Sequence, residues 1–510
     1  MKSQLKSGAI LTYITLLLGN AIALVYTPFM LRSLGQSEYG LFSLSNAVVG
    51  YLTVLDFGFG SSTIRYTAKY NAEGQIEKTQ SMYGMFIFLY GFIGLITLVI
   101  GFILSFFAYN LFAKGLTVEE IKTVRVLLIL ATINLAVSFP FGVFTSIITA
   151  YEKFVFLKIV SLIRLIVNPI VYIPILLWGY KSIGLIIASS VLNFIFLVIN
   201  LIYCFTKLHI KIIFKHFDWS LLKEIVNYSV WIFIGSIVSQ LWWNAGQFLL
   251  GIYTSSVAIA IYSVAMQFKT YFESFATAIS GVFLPRMTKM VANGATEEEF
   301  SEYFIRVGRL QYIIIALITS GFILFGKQFI SIWAGENYIQ AFYVTLIIFI
   351  PLSLVDTQTL GITILQAKNK HKFRSLVYLG VVIFCIAISI PFIKLYGVFG
   401  CTFATAAALT IGNLFIMNWY YWKKIGINIK KYWLELLKMT PGVLVIGIIT
   451  FICLKFLPEL NSYKKLLPSI LIYCILYFIF LFLFSFNQYE RGLVKNIILK
   501  FKPIQEKKND

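Results

Sequence analysis

Apolar residues run through this chain in fourteen long blocks separated by short polar connections. The blocks lie near residues 8–31, 38–62, 80–108, 124–149, 155–178, 182–206, 225–250, 256–284, 309–333, 338–366, 374–394, 397–420, 437–456 and 466–486. A helix needs about 20 apolar residues to cross about 30 Å of hydrocarbon, and nearly every block reaches that length. An outer-membrane barrel would instead alternate over segments of about 10 residues. The pattern predicts an all-α polytopic membrane protein with about 14 transmembrane helices. The first block follows Lys2 and Lys6, in the manner of a signal peptide. It continues for more than 20 residues with no small-residue cleavage site, so it reads as a retained span. The longest connection, Arg286 to Gly308, has Thr296 and Glu299 at capping-box spacing. It predicts a short cytoplasmic helix leading into the ninth span.

The blocks repeat. Shifted back by 220 residues, the stretch from Ile259 to Met287 meets the stretch from Tyr39, so that Ser263 falls on Ser43, Tyr271 on Tyr51 and Lys289 on Lys69. An offset of 217 places Ala150 on Ala367, Tyr203 on Tyr420 and Lys207 on Lys424, and the turns Ser182-Ile183-Gly184 and Val398-Phe399-Gly400 agree at 216. Six spans per copy is an even number, so the copies run in the same direction and predict two parallel six-helix lobes around a central cavity. The expected organisation is an N-terminal lobe at 1–206, a basic cytoplasmic linker at 207–224 and a C-terminal lobe at 225–422. Two extra helices follow at 423–486, then a basic tail at 487–510.

Charge sets the orientation. With both termini inside, the cytoplasmic segments hold 30 Lys and Arg and the exterior ones 10, leaving Arg164 and Lys269 within spans. This bias places both termini in the cytoplasm and accounts for the net charge of +21 without nucleic acid. Reporter fusions after Ser81, Lys211 and Lys370 are accordingly expected to report cytoplasm, and fusions near Thr117 and Ser462 the exterior. Finding Lys211 and Lys370 outside would overturn the parallel two-lobe arrangement as well. The five cysteines (Cys204, Cys385, Cys401, Cys453, Cys474) lie inside apolar runs without a C-x-x-C pattern, indicating neither a disulfide framework nor a metal site. His209, His216 and His371 read as solvated loop residues.

Few residues within the spans can carry chemistry. Arg164 lies roughly 15 Å into its helix and Lys269 at a similar depth. Asp56, Glu273 and Asp356 lie nearer the cytoplasmic ends of theirs. An ionisable group at such depth costs at least about 2.5 kcal/mol to insert, so it faces a bundle interior or a wet cavity. Lys269 either meets an anionic substrate or pairs with Glu273 one turn on. Arg164 either binds an anion, snorkels, or caps a backbone carbonyl. Asp56 is either structural or reached by water. Asn244 and Gln247 either contact a sugar or bond a neighbouring helix. Pro28, Pro140, Pro169, Pro174, Pro351 and Pro391 permit bends in their spans. No Walker A loop, DxD, HExxH or GxSxG motif is present, so no enzyme reading has a carrier and no catalytic residue is assigned.

Several stretches carry a resemblance together: LGQSEYGLFSL at 34–44, LDFGFGSSTIRY at 55–66, AIYSVAMQF at 260–268, FLPRMTK at 283–289, ITILQAKNKHKFRS at 362–375 and YGVFGCTFATA at 396–406. In order and spacing they resemble the polysaccharide (O-antigen, capsule, teichuronic acid) flippases of the multidrug/oligosaccharidyl-lipid/polysaccharide (MOP) exporter superfamily. The likeness covers nearly the whole chain, whereas the second loop lacks the G-x-x-x-D-R signature of major-facilitator carriers. It implies movement of an undecaprenyl-pyrophosphate-linked oligosaccharide from the inner to the outer leaflet of a bacterial cytoplasmic membrane, by alternating access, for surface polysaccharide biosynthesis. Arg164 and Lys269 would be candidates to bind the pyrophosphate. The resemblance further implies no cofactor beyond a proton or sodium gradient, to which Asp56, Glu273 or Asp356 would couple. Membrane lipids and polysaccharide polymerase machinery are the implied partners. A drug or small-solute antiporter of the same superfamily is the alternative.

Overall fold

The computed structural model describes residues 2–214, 219–281, 283–456 and 459–501, apart from the side chains of 2–6, 8–10, 227, 228, 231, 278, 279, 281, 371, 372 and 496–501. His216, the side chain of His371 and the end of the expected tail after Phe501 lie outside that description. Every regular element among the described residues is helical. In chain order these are α1 (Lys2–Leu34), α2 (Gln36–Leu52), α3 (Phe59–Ala72), α4 (Ile76–Phe106), α5 (Ala108–Phe112), α6 (Val118–Ala150), α7 (Phe154–Leu177), α8 (Lys181–Thr206), α9 (Trp219–Tyr253) and α10 (Ser256–Gly281). Beyond these lie α11 (Leu284–Ala292), α12 (Glu297–Trp333), α13 (Ile339–Asp356), α14 (Thr359–Ala367), α15 (His371–Tyr396), α16 (Val398–Leu409), α17 (Asn418–Tyr420), α18 (Ile429–Leu437), α19 (Thr440–Phe456), α20 (Tyr463–Phe484) and α21 (Gln488–Phe501). Twelve helical stretches among the described residues are long and apolar enough to span a membrane. Each corresponds to one of the expected blocks. The expected seventh and eighth spans fall on α9 and α10, which include side chains outside the description.

Three blocks are shaped differently from the sequence expectation. The short helix before the ninth span is the first part of α12, one continuous helix of 37 residues. The box itself forms, with Thr296 and Glu299 exchanging hydrogen bonds of 2.8 and 3.3 Å. No proline interrupts α12, and Phe300, Phe304 and Val307 are buried along one face, so the helix has no reason to stop. The second block breaks where LDFGFG passes through a 3-10 turn, Thr53–Asp56, and two left-handed residues, Phe57 and Gly58. A Cβ on Gly58 would also sit 2.6 Å from Ile232, so glycine is needed for space as well as for its backbone angle. The tenth block breaks likewise between α13 and α14, at Asp356–Thr359. Pro28, Pro140, Pro169, Pro174, Pro351 and Pro391 all lie inside helices that continue past them.

The chain divides into two compact units, residues 1–264 with 382–404, and residues 265–381 with 405–510. In the first unit α4 and α6 press together through Gly94 and Gly101. Side chains there would collide with Ala136 and Thr132, at 2.7 and 2.2 Å. A core of Tyr66, Tyr83, Phe86, Ile147 and Ile148 fills one end of these helices. In the second unit the corresponding core holds Phe300, Phe304, Ile364, Leu365 and Tyr432.

Local geometry recurs at the sequence offset. Phe156 stacks on Tyr203 with ring centroids 3.7 Å apart, and 217 residues on Phe373 stacks on Tyr420 at 4.0 Å. Left-handed Glu152 and His209 recur as left-handed Asn369 and Gly426. The N–H of Lys153 reaches Ile148 O, and that of Lys370 reaches Leu365 O; Ile210 to Cys204 recurs as Ile427 to Tyr421. Capping turns of this kind depend on backbone angles that few residues adopt freely, so their recurrence marks a duplicated local structure.

A buried ion cluster holds the C-terminal helices within the second unit. Arg309 of α12 is 3% exposed. It donates to both carboxylate oxygens of Glu490, at 2.7 and 2.9 Å, and also to Glu435 Oε2 at 3.2 Å, Glu435 O at 3.0 Å and Ser485 O at 3.2 Å. Glu490 and Asn487 form a reciprocal cap at the start of α21, so one guanidinium ties α12, α18 and α21 together.

Candidate functional site

Helix α7 has two exposed faces of opposite character. Ile159, Ile163, Ile166, Ile170 and Ile173 are exposed along one side. At 3.6 residues per turn, Ser161, Arg164, Asn168 and Tyr172 lie on the opposite side. Ser161 and Arg164 are exposed there, while Asn168 and Tyr172 are half-buried. The isoleucine stripe suits hydrocarbon; an arginine stripe does not. The second face therefore suits water or a polar ligand.

A polar network holds the guanidinium in place. Its Nη2 donates to Asn193 Oδ1 at 3.0 Å, and it sits 5.8 Å from the Phe196 ring centroid. The Asn193 amide in turn donates to Asn134 Oδ1 at 2.9 Å and Ser138 Oγ at 2.8 Å. Three helices, α6, α7 and α8, are thereby linked. Arg164 thus bonds a side-chain amide, and no ion pair with a carboxylate forms at it among the described residues. This leaves a fixed, oriented cation that no carboxylate among the described residues neutralises, the arrangement that binds phosphate oxygens by charge-assisted hydrogen bonds.

Lys269 is different. It is 2% exposed on α10, and its Nζ lies 3.0 Å from Glu273 Oε1, the i,i+4 pair that is the rival reading of the sequence. Asp356, at the C-terminal end of α13, interacts electrostatically with both. Asp356 is 5% exposed and its Oδ2 has no hydrogen-bond partner. One ammonium thus pairs with Glu273 and lies within electrostatic reach of a second, buried carboxylate beside a helix break.

The other candidates have structural partners. Asp56 accepts the Tyr90 hydroxyl at 2.6 Å and the Gly58 N–H, bracing the left-handed turn that follows it. Asn244 donates to Gln240 at 2.6 Å, and Gln240 to Thr53 at 3.1 Å. Gln247 donates to Ser263 at 3.1 Å. Gln247 therefore bonds the neighbouring helix α10, whereas Asn244 bonds Gln240 on its own helix α9. The structure brings together Lys269, Glu273 and Asp356 in the second unit, and surrounds Arg164 in the first with asparagines that sequence reading passes over. The spacing of four between Arg164, Asn168 and Tyr172 is their one visible signal. Arg309, which charge placement groups with the cytoplasmic cations, also proves to be buried. Among the described residues no three His, Cys, Asp or Glu side chains converge as metal ligands would.

Residues 5–291 match the family model described as polysaccharide biosynthesis protein. A Shigella flexneri protein named for O-antigen transport is 23% identical over 429 residues, covering 80% of this chain and 95% of its own. The membrane protein EpsK of Bacillus subtilis is 22% identical over 526 aligned positions, covering 98% of this chain and 99% of its own. Among solved structures, the lipid II flippase MurJ in an inward closed conformation superposes with a TM-score of 0.73 at 17% identity, over 96% of this chain and 99% of that one. An inward-facing multidrug MATE transporter of the MOP superfamily superposes with a TM-score of 0.62 at 13% identity, over 79% and 93%. The fold is the one these transporters share.

Proposed function

This chain belongs to the polysaccharide biosynthesis protein family, and from that premise we propose that it flips undecaprenyl-pyrophosphate-linked oligosaccharide units from the inner to the outer leaflet for surface polysaccharide assembly. The observation that carries the reading is Arg164, exposed on the polar face of a membrane helix without an ion-pair partner among the described residues. A pyrophosphate headgroup cannot cross hydrocarbon unaided, and a fixed guanidinium offers it bidentate bonds. The lipid tail stays in the bilayer while the two lobes of the repeat rock in alternation about the headgroup site. Both termini lie on the cytoplasmic side in this scheme, and polymerase machinery takes the product outside. The drug-antiporter alternative would set a cationic ligand against Arg164, which like charge opposes.

The triad Lys269–Glu273–Asp356 supplies the coupling. With one ammonium serving the half-buried Glu273 and the buried Asp356, a proton or a sodium ion on the acids neutralises the excess charge. When the diphosphate competes for Lys269, the acids are left to the ion, so substrate and ion occupancy favour one another. Asp56 keeps its bracing role at the helix break.

In a strain deleted for this gene, Arg164→Ala is expected to abolish surface polysaccharide at an unchanged membrane level of the protein, and Arg164→Lys to retain part of it. Full export by Arg164→Ala would remove the observation on which the reading rests.

A further inference from the structure

The polar face of α7 carries more than its cation. Asn168 and Tyr172 follow Arg164 at successive turns on the same side. Tyr172 lies within electrostatic reach of Arg164, and its ring centroid is 6.1 Å from that of Tyr26 on α1. Two polar atoms here are buried and lack any hydrogen-bond partner, the Tyr26 hydroxyl and Asn168 Oδ1. Buried groups of this kind are nearly always satisfied in a resting protein core, so an unpaired donor on α1 and an unpaired acceptor on α7 need an explanation.

The internal repeat shows that the helix itself does not require these side chains. At the offset of 217, which carries the Phe156–Tyr203 stack onto Phe373–Tyr420, Arg164, Asn168 and Tyr172 meet Val381, Cys385 and Ser389. The second copy forms the equivalent helix without the cation, the amide or the phenol. These side chains are particular to the first copy.

We propose that this face of α7, with Tyr26 opposite, is a sugar-binding subsite adjoining the phosphate-binding Arg164. It takes a neutral, hydroxyl-rich pyranose, and the inference rests on the flippase reading. A sugar hydroxyl is donor and acceptor at once, and so matches an orphan amide oxygen on α7 and an orphan phenol on α1. The Tyr172 ring offers an apolar plane to the C–H face of the same sugar. Asn193 keeps Arg164 turned towards the adjoining diphosphate, because its amide accepts from the guanidinium at 3.0 Å. The cation binds what every lipid-linked substrate shares, and Asn168 and Tyr26 read what differs.

The test compares two probes on the full chain reconstituted in nanodiscs. One is bare undecaprenyl diphosphate; the other is the lipid-linked oligosaccharide that accumulates in a strain deleted for this gene. Asn168→Leu and Tyr26→Phe are each expected to weaken binding of the glycolipid about tenfold, the effect of one lost buried hydrogen bond, and to leave the bare lipid unchanged. Bare-lipid binding also controls for folding. Arg164→Ala is expected to weaken both probes. Undiminished glycolipid binding by both Asn168→Leu and Tyr26→Phe, with the bare lipid bound as in wild type, overturns the subsite and leaves the flippase reading standing. A wild-type chain that binds neither probe overturns the flippase reading itself.

Discussion

Replacing Arg309 with alanine is expected to deplete folded protein from the membrane more than replacing Arg164 or Lys269 does. The guanidinium and Glu490 are each 3% exposed, and five hydrogen bonds run from this one side chain to the C-terminal helices. Removing one partner of a buried pair costs about 3–5 kcal/mol, largely because the other charge is left without compensation. Here two carboxylates would be orphaned, although Glu435 keeps Lys438 as a neighbour. The thermal midpoint of the detergent-solubilised protein and its membrane level should both fall. Arg309→Met combined with Glu490→Gln should recover much of the loss, since the orphan charge is then gone. A single Arg309→Ala variant as stable as wild type would show that the cluster contributes nothing to holding α18 and α21.

The second large effect is expected at Lys269, and its signature is asymmetry. Lys269→Ala leaves Glu273 and Asp356, which interact electrostatically, without the cation between their charges, whereas Glu273→Ala leaves Lys269 with the compensation of Asp356. Lys269→Ala should abolish glycan export, Glu273→Ala should reduce it less, and Lys269→Arg should retain part because a cation persists with different geometry. Adding Glu273→Gln to Lys269→Ala separates the two roles of the lysine. If the ammonium acts on the diphosphate, the double variant regains membrane level but not export. If the pair is purely structural, both return. Surface polysaccharide in the deletion strain, with membrane level as control, reads each case. Full export by Lys269→Ala would end its substrate role, and equal damage from Glu273→Ala would remove Asp356 from the triad.

Sequence reading and structure part company in an orderly way. The helix break at LDFGFG lies in full view as a glycine-rich run, yet a hydropathy reading passes over it, because Thr53 to Gly58 keep enough apolar character to continue a span. The break at Asp356–Thr359 has no glycine and no proline to announce it. Asn134, Asn168 and Asn193 are single polar residues in long apolar helices, each unremarkable until Arg164 is placed beside them. Asn244 and Gln247 show the reverse case, where polar residues that invite a ligand are satisfied by Gln240 and Ser263.

The sequence by itself determined the membrane class, the position of nearly every span, the duplication and the short list of deep charges. These follow from partition between water and hydrocarbon, which acts residue by residue along the chain and leaves a one-dimensional record. Only the tertiary structure decided which of those charges are neutralised. Lys269 meets Glu273 within its own helix but also Asp356 from 87 residues away, and Arg309 meets Glu490 across 181. Arg164 finds an amide at Asn193 where Lys269 finds carboxylates. Pairing energies at such separations depend on distances of a few ångströms set by helix packing, and no local pattern encodes them. That difference leaves one deep cation hydrogen-bonded to an amide and the other paired with a carboxylate.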